Sequence, residues 1–239
     1  MEGLIDIHSH LLAGVDDGAK NCEESLKILQ ISYKEGIRHI ILTPHFHASG
    51  KSASYAHIET AIEEMKREIA KKQIDISLYH GNELYYGHEL ISMLENKKAS
   101  TLNDTRSILV EFNPIEEYSY IKDAFVTLVY NDYLPILAHA ERYECLFNKK
   151  ERIDDLKRCG IRLQLNAAAI LGKDGREYKK RTKYILEKEF ADFIASDTHD
   201  SEKRKPCLKE CADFIEKKYG REYRDLLFCE NPRELIENT

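Results

Sequence analysis

Nine side chains able to donate to a metal ion follow short aliphatic runs: His8, His10, Asp17, His45, Glu83, Glu111, His139, Asp197 and His199. The first run ends in Asp6-Ile7-His8-Ser9-His10 and leads into Gly14-Val15-Asp16-Asp17-Gly18. Later runs end in Thr43-Pro44-His45, Gly81-Asn82-Glu83, Glu111, His139-Ala140-Glu141-Arg142, Asn166 and Ser196-Asp197-Thr198-His199-Asp200. Residues i and i+2 of an extended segment point to one side, so His8 and His10 can reach one ion. Asp197 and His199 repeat that spacing near the other end of the chain. Imidazole and carboxylate donors without thiolate suit Mn²⁺, Fe or Zn²⁺, and carboxylates can bridge two ions. Nine donors exceed one coordination sphere, so the arithmetic gives two or three ions.

A single His near a strand end is more often a hydrogen-bonded structural residue, and a lone His-x-His also marks a solvated edge. Agreement among seven strand ends outweighs those readings. His39, His57, His80 and His88 keep the structural reading, with His47 the nearest to an exception. Tyr85, Tyr86, Tyr118 and Tyr120 are read as packing at the rim, or else as a wall for an aromatic substrate group. The basic clusters at Lys149–Arg152 and Lys179–Arg181 are read as solvated helix faces.

The elements that must position these groups alternate in type. Candidate strands are Leu4–Ile7, His39–Thr43, Ile74–Tyr79, Ile108–Phe112, Leu134–Ala138, Arg162–Leu165 and Asp192–Ala195. They are continuous apolar runs more than clean alternations, as expected of parallel strands covered on both faces. Helical periodicity lies between them. Cys22, Leu26, Leu29 and Tyr33 form one stripe, with a capping-box-like start at Asn21 and Glu24 and a stop at Gly36. Tyr55, Ile58, Ile62, Met65 and Ile69 form a second. Ala124–Leu128, Ile153–Arg158, Tyr178–Glu187 and Leu208–Tyr219 supply others, and Asn231-Pro232 reads as the capped start of a terminal helix. Seven strand-then-helix units predict an α/β fold, a distorted (β/α)7 TIM-like barrel spanning residues 1–239 as one domain. An open doubly wound sheet is the alternative, without its dinucleotide form, since no Gly-x-Gly-x-x-Gly follows a strand. In such barrels the C-terminal strand ends carry the active site, which is where the donors fall.

Composition narrows the function classes. Net charge is −6, from 36 basic and 42 acidic side chains, which argues against a broad nucleic-acid face. No apolar run is long enough for a membrane helix, and the first residues resemble no signal peptide, so the expected location is cytoplasmic. The six cysteines, without a Cys-x-x-Cys pair, read as free thiols that mostly fill core positions. None is followed by five residues and Arg, the spacing a cysteine phosphatase needs.

Together, Asp6-Ile-His-Ser-His10, Gly14-Val-Asp-Asp-Gly-Ala19, Thr43-Pro-His45, Gly81-Asn-Glu83, His139-Ala-Glu-Arg142 and Ser196-Asp-Thr-His199 resemble the PHP (polymerase and histidinol phosphatase) superfamily. Within it they look most like the bacterial manganese-dependent protein-tyrosine phosphatases of capsule and exopolysaccharide operons. The resemblance covers nearly the whole chain. It implies a trinuclear site on the nine donors, with manganese first and Fe, Zn, Mg or Co as the other candidates. It implies that Arg142 holds the substrate phosphate, with Arg204 a second candidate. It also implies a partner, the phosphorylated tyrosine tail of a bacterial tyrosine autokinase. The chain departs from the usual pattern at Ala13 and Ala140, where Pro is usual and no ligand is donated.

The chemistry expected is attack of a metal-activated water on phosphorus without a covalent enzyme intermediate. Arg142 pairs with phosphate through its planar fork, and His199 is a candidate proton donor to the leaving group where ligation leaves it free. The rival readings are a phosphatase of small molecules such as histidinol phosphate, a nuclease, and a non-catalytic metal-binding scaffold that docks on a kinase.

Overall fold

The computed structural model describes residues 3–50 and 52–237. Its strands are β1 (Leu4–Asp6), β2 (Ile37–Leu42), β3 (His45–His47), β4 (Ser77–His80), β5 (Glu83–Tyr85), β6 (Ser107–Glu111), β7 (Leu134–Leu137), β8 (Arg162–Asn166) and β9 (Phe193–Ala195). The helices are α1 (Cys22–Lys34), α2 (Tyr55–Lys71), α3 (Leu90–Glu95), α4 (Tyr118–Tyr130), α5 (Glu144–Asn148), α6 (Glu151–Arg158), α7 (Ala167–Leu171), α8 (Arg176–Glu187), α9 (Leu208–Tyr219) and α10 (Arg221–Asp225).

All strand pairing is parallel, in the orders β1-β2-β4 and β3-β5-β6-β7-β8-β9. Two of the seven expected strands are therefore broken, and the breaks lie side by side. Pro44, which has no N–H for a ladder, separates β2 from β3. Gly81-Asn82 separates β4 from β5, and a Cβ at Gly81 would lie 2.9 Å from Leu102. Asn82 repairs the gap: its Nδ2 donates to the Pro44 carbonyl at 2.9 Å and its Oδ1 accepts from Ser100 N at 2.8 Å. The kink turns His45 and Glu83 together toward the barrel mouth. Ile74–Ile76, expected as strand, precedes β4 outside the ladder.

Among the described residues, the segments that follow the first and last strands are joined at the mouth by a parallel bridge between Ser9 and Thr198. His10 N donates to the Thr198 carbonyl and Asp197 N to the His8 carbonyl, each at 2.9 Å. The result is the distorted, TIM-like (β/α)7 barrel, joined at its seam by the segments that carry candidate donors.

Helix packing follows the periodicity with one rotation. The stripe Ile58, Ile62, Met65, Ile69 of α2 is buried as expected. In α1 the buried face is Ser25, Ile28, Leu29 and Ser32, whereas Cys22 and Tyr33 are exposed. Ser25 and Ser32 take the buried places of that face, and Tyr33 lies under the Arg38 guanidinium, 4.2 Å away. Asn21 caps α1 as read, accepting from Glu24 N at 3.0 Å. Asn231 is not a cap: the chain stays helical from α10 through a wide π turn at Leu226–Glu230, and Asn231 Nδ2 donates to the Asp192 carbonyl. Of the six free cysteines, Cys145, Cys207 and Cys211 are buried and Cys22 is exposed. No helix among the described residues is long and apolar enough to cross a membrane.

Candidate metal centre

The strand ends bring all nine candidate donors to one place. His8 and His10 approach each other at 3.1 Å through their Nε2 atoms. The same atoms lie 3.5 and 3.4 Å from Asp197 Oδ1 and 3.2 and 3.3 Å from Glu83 Oε2. His45 Nδ1 stands 3.0 Å from Glu83 Oε2 and 3.1 Å from Glu111 Oε1, and His139 Nε2 stands 2.8 Å from Glu83 Oε1 and 3.6 Å from Glu111 Oε2. Asp17 Oδ1 lies 3.4 Å from His45 Nε2 and 3.5 Å from His199 Nε2. Three donor groups result: His8–His10–Asp197, His10–Asp17–His45–His199 and His45–Glu83–Glu111. His10 belongs to two of them and His45 to two.

The donor set fits divalent cations on an observation internal to the site. Glu83 Oε2, buried, has three imidazole nitrogens within 3.3 Å and yet makes no hydrogen bond, and His45 Nδ1 is likewise buried without one. Lone pairs converging without hydrogen-bond alignment are what a shared cation satisfies, and leaving them bare costs about 1–3 kcal/mol each.

Charge compensates in the same sense. Burial alone would raise Glu83 and Asp197, but nearby imidazoles, with Arg142 and Arg204 also beside Asp197, hold both well below the usual carboxylate range. Burial would lower His45 and His139, and Arg142 works against His139 as well; Glu111 and Glu83 nonetheless raise them to about 10 and about 9. His199 goes the other way: burial and the neighbouring His10 push it down to about 4. A neutral imidazole suits a ligand better than the proton donor considered from sequence.

Both arginines are at the centre. Arg142 donates to Asp197 Oδ2 at 2.6 Å, and Arg204 donates to the same oxygen at 2.8 Å. Arg181, in a cluster read as solvated, is instead largely covered and donates to the Glu141 carbonyl at 3.1 Å, bracing the turn that carries Arg142.

Several supporting residues escaped the sequence reading. Gln164, fully buried on β8, accepts from His139 N at 2.8 Å and from His8 Nδ1 at 3.1 Å through Oε1. Its Nε2 donates to Asn166 Oδ1, whose Nδ2 donates to Asp197 Oδ2, each at 2.8 Å. Asp16 accepts from His10 Nδ1 at 2.7 Å, so both leading histidines keep Nε2 free for an ion. Asp6 accepts from Ser196 Oγ at 2.5 Å, and burial raises its carboxyl to about 6. The available signal was polarity inside aliphatic strands: Gln164 interrupts Leu163 and Leu165, and Asp6 interrupts Ile5 and Ile7. His139 and Asp197 take φ of 34° and 50°, left-handed values uncommon for non-glycine residues, though Gln73, Lys97, Asn103, Asp104, Asp132 and Glu189 share them away from the site. Gly18 is required by contact, since a Cβ there would fall 1.8 Å from the His10 carbonyl.

A parallel α/β barrel with imidazoles, carboxylates and arginines crowded at its C-terminal strand ends is the architecture of metal-dependent barrel hydrolases. The chain belongs to the capsular polysaccharide synthesis family CpsB/CapC, whose pattern matches residues 4–237. It is 36% identical to the tyrosine-protein phosphatase CpsB of Streptococcus pneumoniae over 242 residues, covering 98% of each chain. It is 34% identical to CpsB of Streptococcus agalactiae, covering 98% of this chain and 99% of that one. A solved structure from work on YwqE of Bacillus subtilis and CpsB of S. pneumoniae, described as unique metal-dependent tyrosine phosphatases, superposes with a TM-score of 0.92. It is 28% identical, covering 98% of this chain and 94% of the other. A histidinol phosphate phosphatase from Lactococcus lactis shares the fold at a TM-score of 0.59 and 13% identity, covering 91% of this chain and 94% of that one.

Proposed function

We propose that this chain, as one domain over residues 1–239, is a metal-dependent protein-tyrosine phosphatase of capsule or exopolysaccharide synthesis. Its substrate is the phosphorylated tyrosine tail of a bacterial tyrosine autokinase. His8, His10, Asp17, His45, Glu83, Glu111, His139, Asp197 and His199 hold two or three divalent ions, manganese first. The observation that carries the reading is Glu83 Oε2, buried among three imidazole nitrogens at 3.0–3.3 Å without a hydrogen bond.

Divalent ions held there supply polarisation of phosphoryl oxygens and an acidified water as nucleophile. The chain's own groups do the rest. Arg142 and Arg204 offer two guanidinium forks on one side of the donor cluster, and both can exchange Asp197 Oδ2 for phosphate oxygens. Arg181 braces the backbone turn from which Arg142 projects. A phenol, with a pKa of about 10, leaves more readily than an alkoxide, so solvent suffices as proton source. No protein nucleophile is needed, and burial raises the Cys145, Cys207, Cys211 and Cys229 thiols away from reactivity.

The test is hydrolysis by metal-stripped protein with and without Mn²⁺, using a phosphotyrosyl peptide, a phosphoseryl peptide and histidinol phosphate. The expected result is Mn²⁺-dependent turnover concentrated on phosphotyrosine. Turnover confined to histidinol phosphate, or turnover indifferent to metal, would overturn the proposal.

A further inference from the structure

The four tyrosines near the strand ends are not equivalent. The Tyr86 ring packs 5.3 Å from Phe112 and 5.7 Å from Tyr120, and Tyr120 is edge-on to Phe112 and His88. Tyr118 donates to Asp155 Oδ2 at 2.5 Å and lies under the Arg152 guanidinium, 4.8 Å away. Those rings are committed to packing. Tyr85 instead stacks on His47, with centroids 4.4 Å apart and planes at 19°.

The position of this pair follows from the ladder. His45 pairs with Glu83 and His47 with Tyr85, while Tyr85 also pairs with Glu111. The intervening Phe46 and Leu84 are buried in the core beneath the helices. His45, His47, Glu83 and Tyr85 therefore share the opposite face, the one at the mouth. The stacked pair lies two strand residues, roughly 6.8 Å, outward of the donors His45 and Glu83. It is also held in place. His47 N donates to Ser52 Oγ at 2.8 Å, and the His47 carbonyl accepts from Gly50 N at 3.1 Å. A Cβ at Gly50 would meet the His47 Cβ at 2.9 Å, so the loop closes against this histidine. His47 is exposed and Tyr85 partly so.

From this juxtaposition we infer that the His47–Tyr85 stack is the wall that receives the aryl ring of the substrate, making the site selective for aryl over alkyl phosphomonoesters. The inference rests on the phosphatase reading above. An ester oxygen joins phosphorus directly to the ring, so a phosphate seated among the donors carries its ring into the next layer outward. A preformed aromatic surface there gains offset or edge contact with an aryl group and nothing comparable with an alkyl chain.

The experiment uses non-hydrolysable probes, so that binding is read apart from turnover. Phenylphosphonate and propylphosphonate are titrated calorimetrically into the Mn²⁺-loaded protein, its His47→Ala and Tyr85→Ser variants, and the double variant, with bound metal quantified in each. The parent is expected to prefer the phenyl probe about three- to tenfold, the worth of one aromatic pair. The double variant should bind both probes equally at unchanged metal content, and Tyr85→Phe should keep the preference. A preference absent in the parent, surviving in the double variant, or lost only together with the metal would overturn the inference. Phosphotyrosine turnover in the parent separates the two proposals. Turnover with an unaltered phenyl preference in the double variant sinks the wall alone; a wall that behaves as expected without turnover sinks the phosphatase reading alone.

Discussion

Gln164→Leu is the sharpest test of how the barrel presents its donors. Leucine has nearly the volume of glutamine, so the fully buried site keeps its packing and loses its polar atoms. Three groups are then stranded: the His139 N–H, the His8 Nδ1–H and Asn166 Oδ1. Each buried group without a partner costs about 1–3 kcal/mol, so the metal-free protein should lose at least about 3 kcal/mol. For a chain of this length that corresponds to a fall of roughly 6–12 °C in Tm. A second consequence concerns the ions. Gln164 Oε1 holds the His8 proton on Nδ1 and so keeps Nε2 available, and loss of such a partner weakens metal binding about 10–100-fold. Gln164→Glu keeps both acceptor roles but sets a buried carboxylate against Asn166 Oδ1, so it should restore much of the affinity without restoring the metal-free stability. The assays are a thermal melt of chelator-treated protein and Mn²⁺ titration against a competing chelator. Wild-type metal affinity in Gln164→Leu, with its structure intact, would refute the claim that this amide fixes His8.

Arg142→Lys should retain bound metal and lower phosphotyrosine turnover about 10²-fold or more, because a point charge replaces a fork; near-normal rates would remove Arg142 from phosphate binding. Chelation should abolish turnover, whereas alkylation at pH 8 should spare it and mark Cys22 first: Cys22 is exposed, and burial pushes Cys207 up to about 12, leaving it almost no thiolate. Mass spectrometry of the alkylated protein reads the order, and early loss of activity with Cys207 labelling would contradict it. Burial raises Glu141 to about 7 from an ordinary 4.5, so in the metal-free protein its share of stability is full below pH 4.5 and lost as pH rises through 7. Glu141→Gln should therefore gain on the parent in Tm across that window and hold a constant lead above it; a difference independent of pH would show that this carboxyl does not titrate as argued.

The donors were legible because each is a local event. His-x-His, Asp-x-His and single polar groups at the ends of aliphatic runs need no knowledge of distant contacts, and parallel strands in a barrel deliver their C-terminal ends to one mouth. The strand breaks were less legible, although Pro44 and Gly81-Asn82 stood in the sequence. Reading them as breaks requires knowing that the two kinks are neighbours and that Asn82 sutures them. Gln164 stood out as a polar residue inside an aliphatic strand, but its role was hidden for the same reason in stronger form: besides the nearby Asn166, its partners are 25 and 156 positions away. Asp16 and Asp17 show the limit of local reading most clearly. Two adjacent acids of equal chemistry divide the work, Asp16 gripping His10 Nδ1 and two backbone amides while Asp17 stays outside against His45 and His199. Both acids lie on a bend rather than a strand, so side-chain alternation does not tell which of them grips the His10 ring. Gly18 lets that bend fold back on His10, since a Cβ there would fall 1.8 Å from the His10 carbonyl, and its N–H donates to Asp16 Oδ1 at 3.0 Å; both contacts exist only once the loop has closed.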